Sequence, residues 1–313
     1  MSQDPYTWTE EQVIEVLAQV FSSQDPRVIL GIGDDAALVK ASGQQILTTD
    51  IAVEGVHFRT SWSSAYEIGK RIAVANIADV LSMNGTCDYL LVAATLTGNE
   101  DIDWIRDLAQ GIQDQAKAAG AVVVGGDLAR SQTLSIAITA VGHADKPILR
   151  SGAVAGDSIF LSSLTGWSAA GLEILTKELS VSGASVAKAL NEYRAPTLDL
   201  QTNFSSASSM SDVSDSVLTQ GRQMATASRV RFEFDAAAIE RAEEFGELSG
   251  LAQQVGADVL DWILQGGEDH VLLATGSDLP GIKIGTVVEG SGVAVVKDGV
   301  EIKMAPVAWS HFS

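Results

Sequence analysis

Seven aspartates stand where strands and helices are expected to end. They are Asp34 and Asp35 after Gly31-Ile32-Gly33, Asp50 after Thr48-Thr49, Asp79 in a long apolar run, Asp127 after Gly125-Gly126, and the pair Asp212 and Asp215. Hard oxygen donors of this kind suit magnesium, which takes one or two carboxylates from a protein and completes its shell with water and phosphate oxygens. An aspartate beside glycine is equally a turn former, so each position alone leaves both readings open. Asp79 is more demanding. It falls near the C-terminal end of its helix, where the macrodipole disfavours an anion by roughly 0.3–1 kcal/mol. The helix around it is apolar enough to be buried, which makes an unpaired carboxylate costlier still. A bound cation or a salt bridge to Lys or Arg would each resolve the conflict.

The chain has neither a Gly-x-x-x-x-Gly-Lys-Ser/Thr loop nor a protein-kinase glycine loop with its catalytic Asp and Asn. Gly125-Gly126-Asp127 could instead bring backbone amides close to a phosphate while presenting a metal ligand.

Periodicity outlines the elements that must hold these residues. Glu10 to Phe21 reads as a helix, with Thr9 as N-cap and Gln12 as capping-box partner. A turn over Gly31 to Asp35 precedes a strand from Gln45 to Thr49 that ends on Asp50. Tyr66 to Leu81 is apolar on nearly every side, as in a buried helix. Strands are expected at Tyr89–Leu96, Ala121–Val124 and around Ile136 to Val141, with a helix from Trp104 to Ala119. Asp145-Lys146-Pro147 is a natural boundary, giving domains 1–147 and 148–313. Beyond it come a strand after Gly156-Asp157 and a helix over Ser168–Leu179. Asn203–Ser211 is serine-rich and reads as a flexible loop leading into Asp212-Val213-Ser214-Asp215 and a helix. A strand through Val230, Phe232 and Phe234, a helix over Asp258–Gln265, a turn at Gly266–Asp269 and a strand over His270–Thr275 follow. A hairpin turns on Asp298-Gly299. The class is α/β of the α+β type, with mixed sheets and helices packed on them.

The composition agrees. With 313 residues and about 150 per domain, two domains are expected. Hydrophobic residues at 46% against 19% charged supply real cores. A net charge of −20 speaks against nucleic acid as a partner, because phosphate backbones need clustered Lys and Arg. A small phosphorylated substrate accompanied by divalent cations is compatible with it. Cys87 is the single cysteine, which excludes an intramolecular disulfide and a cysteine zinc site. Met1 to Trp8 has no basic or apolar run, and no stretch nears the roughly 18 apolar residues of a membrane span. A cytoplasmic location without a membrane partner is expected.

In chain order the motifs are Gly31-Ile-Gly-Asp-Asp35, Thr48-Thr-Asp50, His57, Asn76-x-x-Asp79, Gly125-Gly-Asp127, Arg150-Ser-Gly-Ala153, Ser168-Ala-Ala-Gly-Leu172, Asp212-x-Ser-Asp215 and Gly266-Gly-Glu-Asp269. Together they resemble the thiamine-monophosphate kinase family of the aminoimidazole-ribonucleotide-synthetase-like superfamily, from about Leu30 to Trp309-x-His311-Phe312. The resemblance implies a subunit that dimerises through its N-terminal domain and carries a C-terminal α/β domain. It implies several magnesium ions, ATP as co-substrate and thiamine monophosphate as substrate. By motif match, Asp35, Thr48, Thr49, Asp50, Asp79, Asp127, Asp212 and Asp215 would be metal ligands. Gly126, Asp127, Arg150 and Ser214 would contact ATP, and His57, Glu268 and Trp309 the thiamine phosphate. The implied reaction transfers the γ-phosphoryl group directly to the substrate phosphate, the last step of thiamine diphosphate biosynthesis. No side chain is then needed as acid, base or nucleophile, because a phosphate nucleophile is already ionised.

Read from the residues alone, His57 is a polar loop residue and Trp309 an apolar anchor for the tail, although an aromatic face also suits a cationic thiazolium ring. A non-catalytic sensor of magnesium and nucleotide is an alternative, as is another ATP-dependent enzyme of the superfamily. Three positions depart from the family pattern: Trp167 where Asp is frequent, Arg194-Ala-Pro196 for an Arg-Pro-x-Pro segment, and Ser216 for glycine. At positive φ a serine would carry roughly 1–2 kcal/mol of strain. A helix start needs ordinary dihedrals, so Ser216 is expected to fit, with its hydroxyl in reach of a first-turn amide.

Overall fold

The computed structural model describes residues 8–304, and the chain divides into two compact units, the first ending at Pro147 and the second beginning at Ile148. In the first unit, α1 (Glu10–Val20) starts on the expected Thr9–Gln12 capping box. It is followed by a short hairpin, β1 (Val28–Leu30) and β2 (Leu38–Val39). Then come β3 (Gln44–Val53), α2 (Ala65–Ser82), β4 (Thr86–Leu96), α3 (Ile102–Ala118), β5 (Val122–Arg130) and β6 (Ser135–Ala144).

The four long strands form a mixed sheet in the order β3-β6-β4-β5, antiparallel except for the parallel pair β4–β5. Strict alternation in β6 buries Ile136, Ile138 and Ala140 on one face. That face is covered by α2, whose Ile68, Ile72, Val74 and Ile77 are buried. Two glycines let α2 and α3 cross closely. A Cβ on Gly69 would strike the carbonyl of Leu108, and one on Gly111 that of Tyr66. Two differences from the sequence reading matter. β3 runs on past Asp50 to Val53, and β5 continues through Gly125-Gly126-Asp127 rather than ending before it. Both extensions have the same cause, pairing with the neighbouring strand, continuous from β3 to β6 and resumed beyond a register shift at Val124 from β5 to β4.

The second unit comprises β7 (Ser158–Leu161), α4 (Trp167–Thr176), α5 (Ala184–Arg194), β8 (Ser209–Asp212), α6 (Val217–Ser228) and β9 (Arg231–Asp235). It continues with α7 (Ala236–Ile239), α8 (Phe245–Val255), α9 (Val259–Gln265), β10 (Leu272–Gly276), β11 (Ile282–Val288), β12 (Gly292–Lys297) and β13 (Val300–Ile302). Its seven strands are ordered β13-β12-β9-β11-β7-β10-β8, and only β12–β9 is parallel. The main core gathers Ile159, Leu161, Phe232, Phe234, Ile263 and Leu273. A smaller cluster of Phe160, Phe204, Met210 and Leu272 lies apart from it.

That second cluster corrects the expectation of a flexible loop over Asn203–Ser211. Phe204 and Met210 are buried, and Ser209 to Asp212 form an edge strand antiparallel to β10 with every residue buried. The serine hydroxyls find polar side chains there: Ser209 Oγ lies 2.8 Å from Thr275 Oγ1, and Ser208 Oγ donates to Asp157 Oδ2. The hairpin at Asp298-Gly299 is present, with φ of 52° and 78° at its two turn residues. The fold is of the α+β type, mixed sheets with helices packed on them. Among the described residues no helix is long and apolar enough to cross a membrane.

Candidate functional site

In the first unit the expected ligands fall on both edges of the four-stranded sheet. β3 is an edge strand, and its even-numbered side chains face α2. Thr48 Oγ1 donates to Asp79 Oδ2 at 2.5 Å, and the backbone amide of Asp50 donates to Asn76 Oδ1 at 3.0 Å. Asn76 is fully buried, and its amide also donates to the carbonyl of Ile72, so it clamps the strand to α2 one turn before Asp79. Thr48, Asp50 and Asp79 thereby belong to one neighbourhood.

Thr49 does not join them. Its hydroxyl donates to the carbonyl of Ile138 and accepts from Thr139 Oγ1, on the other face of the strand. Asp35 lies in the exposed loop between β1 and β2, its amide accepted by Asp34 Oδ1. Gly126 and Asp127 sit on the opposite edge strand, β5. The cross-strand register runs Asp50 to Ile138 to Val92 to Gly126. At about 4.8 Å per strand this row separates Asp50 from Gly126 by roughly 14 Å. Glycine at 126 has a local reason as well, since a Cβ there would strike the carbonyl of Val92. His57 follows the turn at Gly55, where its Nδ1 accepts the Val53 amide at 3.1 Å. That bond leaves the ring proton on Nε2.

In the second unit the expected residues converge more closely. The segment Asp212–Asp215 and the turn Gly266–His270 lie side by side. The Glu268 amide donates to the carbonyl of Ser214 at 2.6 Å, and that of His270 to the carbonyl of Val213. Arg150 Nε donates to Ser211 Oγ at 3.2 Å, one residue before Asp212 on β8. Asp212, Ser214, Asp215 and Glu268 thus gather at one strand end, and Arg150 is tied to the residue before it. Trp309 lies outside the described residues.

Ser216 behaves as the helix-start argument requires. Its φ of −178° is extended backbone, and its Oγ accepts the Thr219 amide at 3.1 Å as the N-cap of α6. Trp167 is buried, donates from Nε1 to Glu244 Oε2, and carries the Lys188 ammonium 4.1 Å from its ring centroid.

Two residues of this site went unassigned in the sequence. His270 is buried at positive φ, with Nδ1 3.6 Å from Asp212 Oδ2 and Nε2 3.8 Å from Glu268 Oε2. Burial pulls its pKa down, but the two carboxylates outweigh burial and hold it up at about 10. Neither contact is short enough for a hydrogen bond, so the attraction is ionic. Asp269 accepts the amides of Gly166 and Ser168, at 2.9 and 3.0 Å, and so caps α4. Burial pushes its carboxyl up to about 6 in spite of both amides. The one available signal was their position, at and directly after the end of Gly266–Asp269.

Among the described residues no three His, Cys, Asp or Glu side chains converge closely enough to hold an ion by themselves. Magnesium does not require that. Asp50, Asp79 and Thr48 in one unit, and Asp212, Asp215 and Ser214 in the other, are oxygen donors with two carboxylates each, a set that fits magnesium once phosphate oxygens and water complete it.

Two compact units built on mixed sheets, with aspartates on β3, α2, β5 and at the end of β8, define a class. Residues 33–144 match the family model described as AIR synthase related protein, N-terminal domain. A thiamine-monophosphate kinase of Mycobacterium tuberculosis is 33% identical over 80% of this chain and 76% of its own length. That of Aquifex aeolicus is 31% identical over 90% and 92%. The solved structure of AaThiL complexed with AMPPCP and TMP superposes with a TM-score of 0.76 at 27% identity, covering 97% of each chain. This chain belongs to the thiamine-monophosphate kinase family.

Proposed function

We propose that the chain phosphorylates thiamine monophosphate to thiamine diphosphate with ATP, by direct transfer of the γ-phosphoryl group to the substrate phosphate. The observation that carries this reading is the similarity to a structure holding an ATP analogue together with TMP over nearly its whole length. The oxygen-donor groups of each unit support it.

Two anions must meet in this reaction. At 4 Å each pair of unit charges repels by about 1 kcal/mol in water and about 4 kcal/mol at an effective dielectric near 20. Magnesium, when bound, supplies charge neutralisation and template effects for such a transfer. In the first unit Asp50 and Asp79 with Thr48, together with Asp35 and Asp127, are the residues proposed to hold it, and in the second unit Asp212 and Asp215. Gly126 and Asp127 of the first unit, and Arg150 and Ser214 of the second, are assigned to ATP. Glu268 and His57 are assigned to thiamine phosphate. No side chain has to take a proton from the nucleophile.

The proposal is tested by ADP release in the presence of thiamine monophosphate or unphosphorylated thiamine. Turnover with the monophosphate and at least about a hundredfold less with thiamine is expected, because the nucleophile is a phosphate oxygen. Equal rates would sink the mechanism. Nucleotide binding without ADP release in the presence of either compound would favour a non-catalytic sensor.

A homodimer belongs to the same reading. The face of the first unit's sheet turned away from α2 leaves Leu47 70% and Ile51 57% exposed, with Leu91 exposed on the same face two strands away. Residues of β3 and β5 proposed for one phosphate site lie on opposite edges of that sheet. A second copy laid on the apolar face would cover it and bring a β5 edge towards a β3 edge. Leu47→Lys should then convert a solution dimer, measured by light scattering at micromolar concentration, into a monomer with most activity lost. An active parent protein of monomeric mass would overturn the assignment.

A further inference from the structure

We infer that Arg27 is a positioning residue for the acidic loop Gly31–Asp35 and acts through Asp35; this rests on the reading of Asp35 as a magnesium ligand. The loop is carried by β1 and β2, which pair only with each other. Strands of three and two residues make a hairpin that is marginal alone, so the direction of the loop has to be set from outside.

Arg27 stands immediately before β1 and provides that anchor. Its Nη1 donates to Asp88 Oδ1 on β4 at 2.9 Å, and Nη2 donates to the carbonyl of Gly120, just before β5, at 2.7 Å. Nη2 and Nε also bind Asp25, at 2.9 and 3.1 Å. Asp88 is itself fixed by His143 Nδ1 of β6 at 2.6 Å. The far end of the hairpin is tied to the same place. The Lys40 amide donates to the carbonyl of Arg27, and Tyr89 Oη donates to the carbonyl of Lys40 at 2.6 Å. The guanidinium lies 5.7 Å from the Tyr89 ring centroid.

Beneath these bonds, Val28, Ala37 and Val39 pack on Tyr89, Val122 and Val124, while Asp34 and Asp35 remain exposed. Only the base of the hairpin is gripped. A planar fork can bind Asp25, Asp88 and Gly120 at once, whereas a lysine ammonium has no such reach. A small rotation at that base is amplified at the loop tip, where the carboxylate would meet a cation.

The test compares Arg27→Met, Arg27→Lys, Asp88→Asn, Asp35→Asn and the double variant Arg27→Met/Asp35→Asn. Amide hydrogen exchange over residues 31–37 and the magnesium dependence of ADP release are both measured. Arg27→Met should speed exchange across 31–37 about tenfold or more, with the rest of the first unit unchanged. It should raise the magnesium concentration for half-maximal rate about fivefold, leave the rate at saturating magnesium within about threefold, and add nothing in the Asp35→Asn background. Should the methionine variant fail to fold, Arg27→Lys and Asp88→Asn are to shift both readouts in the same direction. Unchanged exchange, or full additivity with Asp35→Asn, overturns the inference. An Asp35→Asn protein with unaltered magnesium dependence overturns the ligand reading and the inference with it, and exchange still reports whether Arg27 holds the loop.

Discussion

Asp79→Asn is expected to lower phosphoryl transfer by two orders of magnitude or more, roughly 3 kcal/mol of barrier, with the thermal midpoint within about 3 °C of the parent. The two effects separate because of where the residue sits. Asp79 lies in the last turn of α2, where the helix dipole disfavours an anion by roughly 0.3–1 kcal/mol, so removing its charge relieves the fold. The hydrogen bond from Thr48 Oγ1 is kept in weaker form, since the asparagine carbonyl accepts it without the carboxylate's charge. What disappears is one negative charge beside the proposed phosphate site. A carboxylate retained only for an internal ion pair would behave in the opposite way, with a clear loss of stability and activity falling only in proportion to unfolded protein. Coupled ADP release against magnesium concentration, run beside thermal denaturation, distinguishes the two. Near-parental turnover at limiting magnesium would remove Asp79 from the ligand set.

Local signals were legible in the sequence and long-range ones were not. The Thr9–Gln12 capping box, the length of α2 and the hairpin at Asp298-Gly299 each depend on a few neighbouring residues, and each is present. Ser216 belongs with them, because a helix start constrains its own dihedrals. The bounds of β3 and β5 were missed since a ladder partner, not composition, decides how far a strand runs. Ser209–Asp212 was obscured by its serines. Composition suggests solvent, while the hydroxyls in fact satisfy Thr275 and Asp157 in a buried strand edge. The Thr48–Asp79 pair spans 31 positions, so only the fold reveals it. Thr48-Thr49-Asp50 shows the limit of motif reasoning. Three adjacent residues were expected to share a role, but a strand turns alternate side chains to opposite faces.

Asp269→Ala should lower the thermal midpoint by about 6–12 °C, the shift that about 3 kcal/mol produces in a unit of this size. Asp269 accepts two buried amides from a helix start 103 and 101 positions away, where Gly166 offers no side chain to cap α4. Alanine leaves both amides without an acceptor, at roughly 1–3 kcal/mol each. The size of the loss depends on pH in a direction that can be worked out. Burial pushes the folded-state pKa from 3.8 up to about 6, so between these values the folded chain binds the extra proton. Stability from this group is therefore full below about pH 4 and falls as pH rises through about 6, by about 3 kcal/mol in all. Glu192 adds to the upward shift and His270 opposes it. The alanine variant lacks this slope, so the gap between parent and variant should be widest at acidic pH and narrow towards pH 8. Because Asp269 also fixes the turn that presents Glu268, the variant should raise the KM for thiamine monophosphate more than that for ATP. Thermal midpoints at several values between pH 4.5 and 8 decide the matter. A gap that widens with pH would mean that the two amides and the dipole of α4 hold the carboxyl ionised, and that burial is the weaker influence.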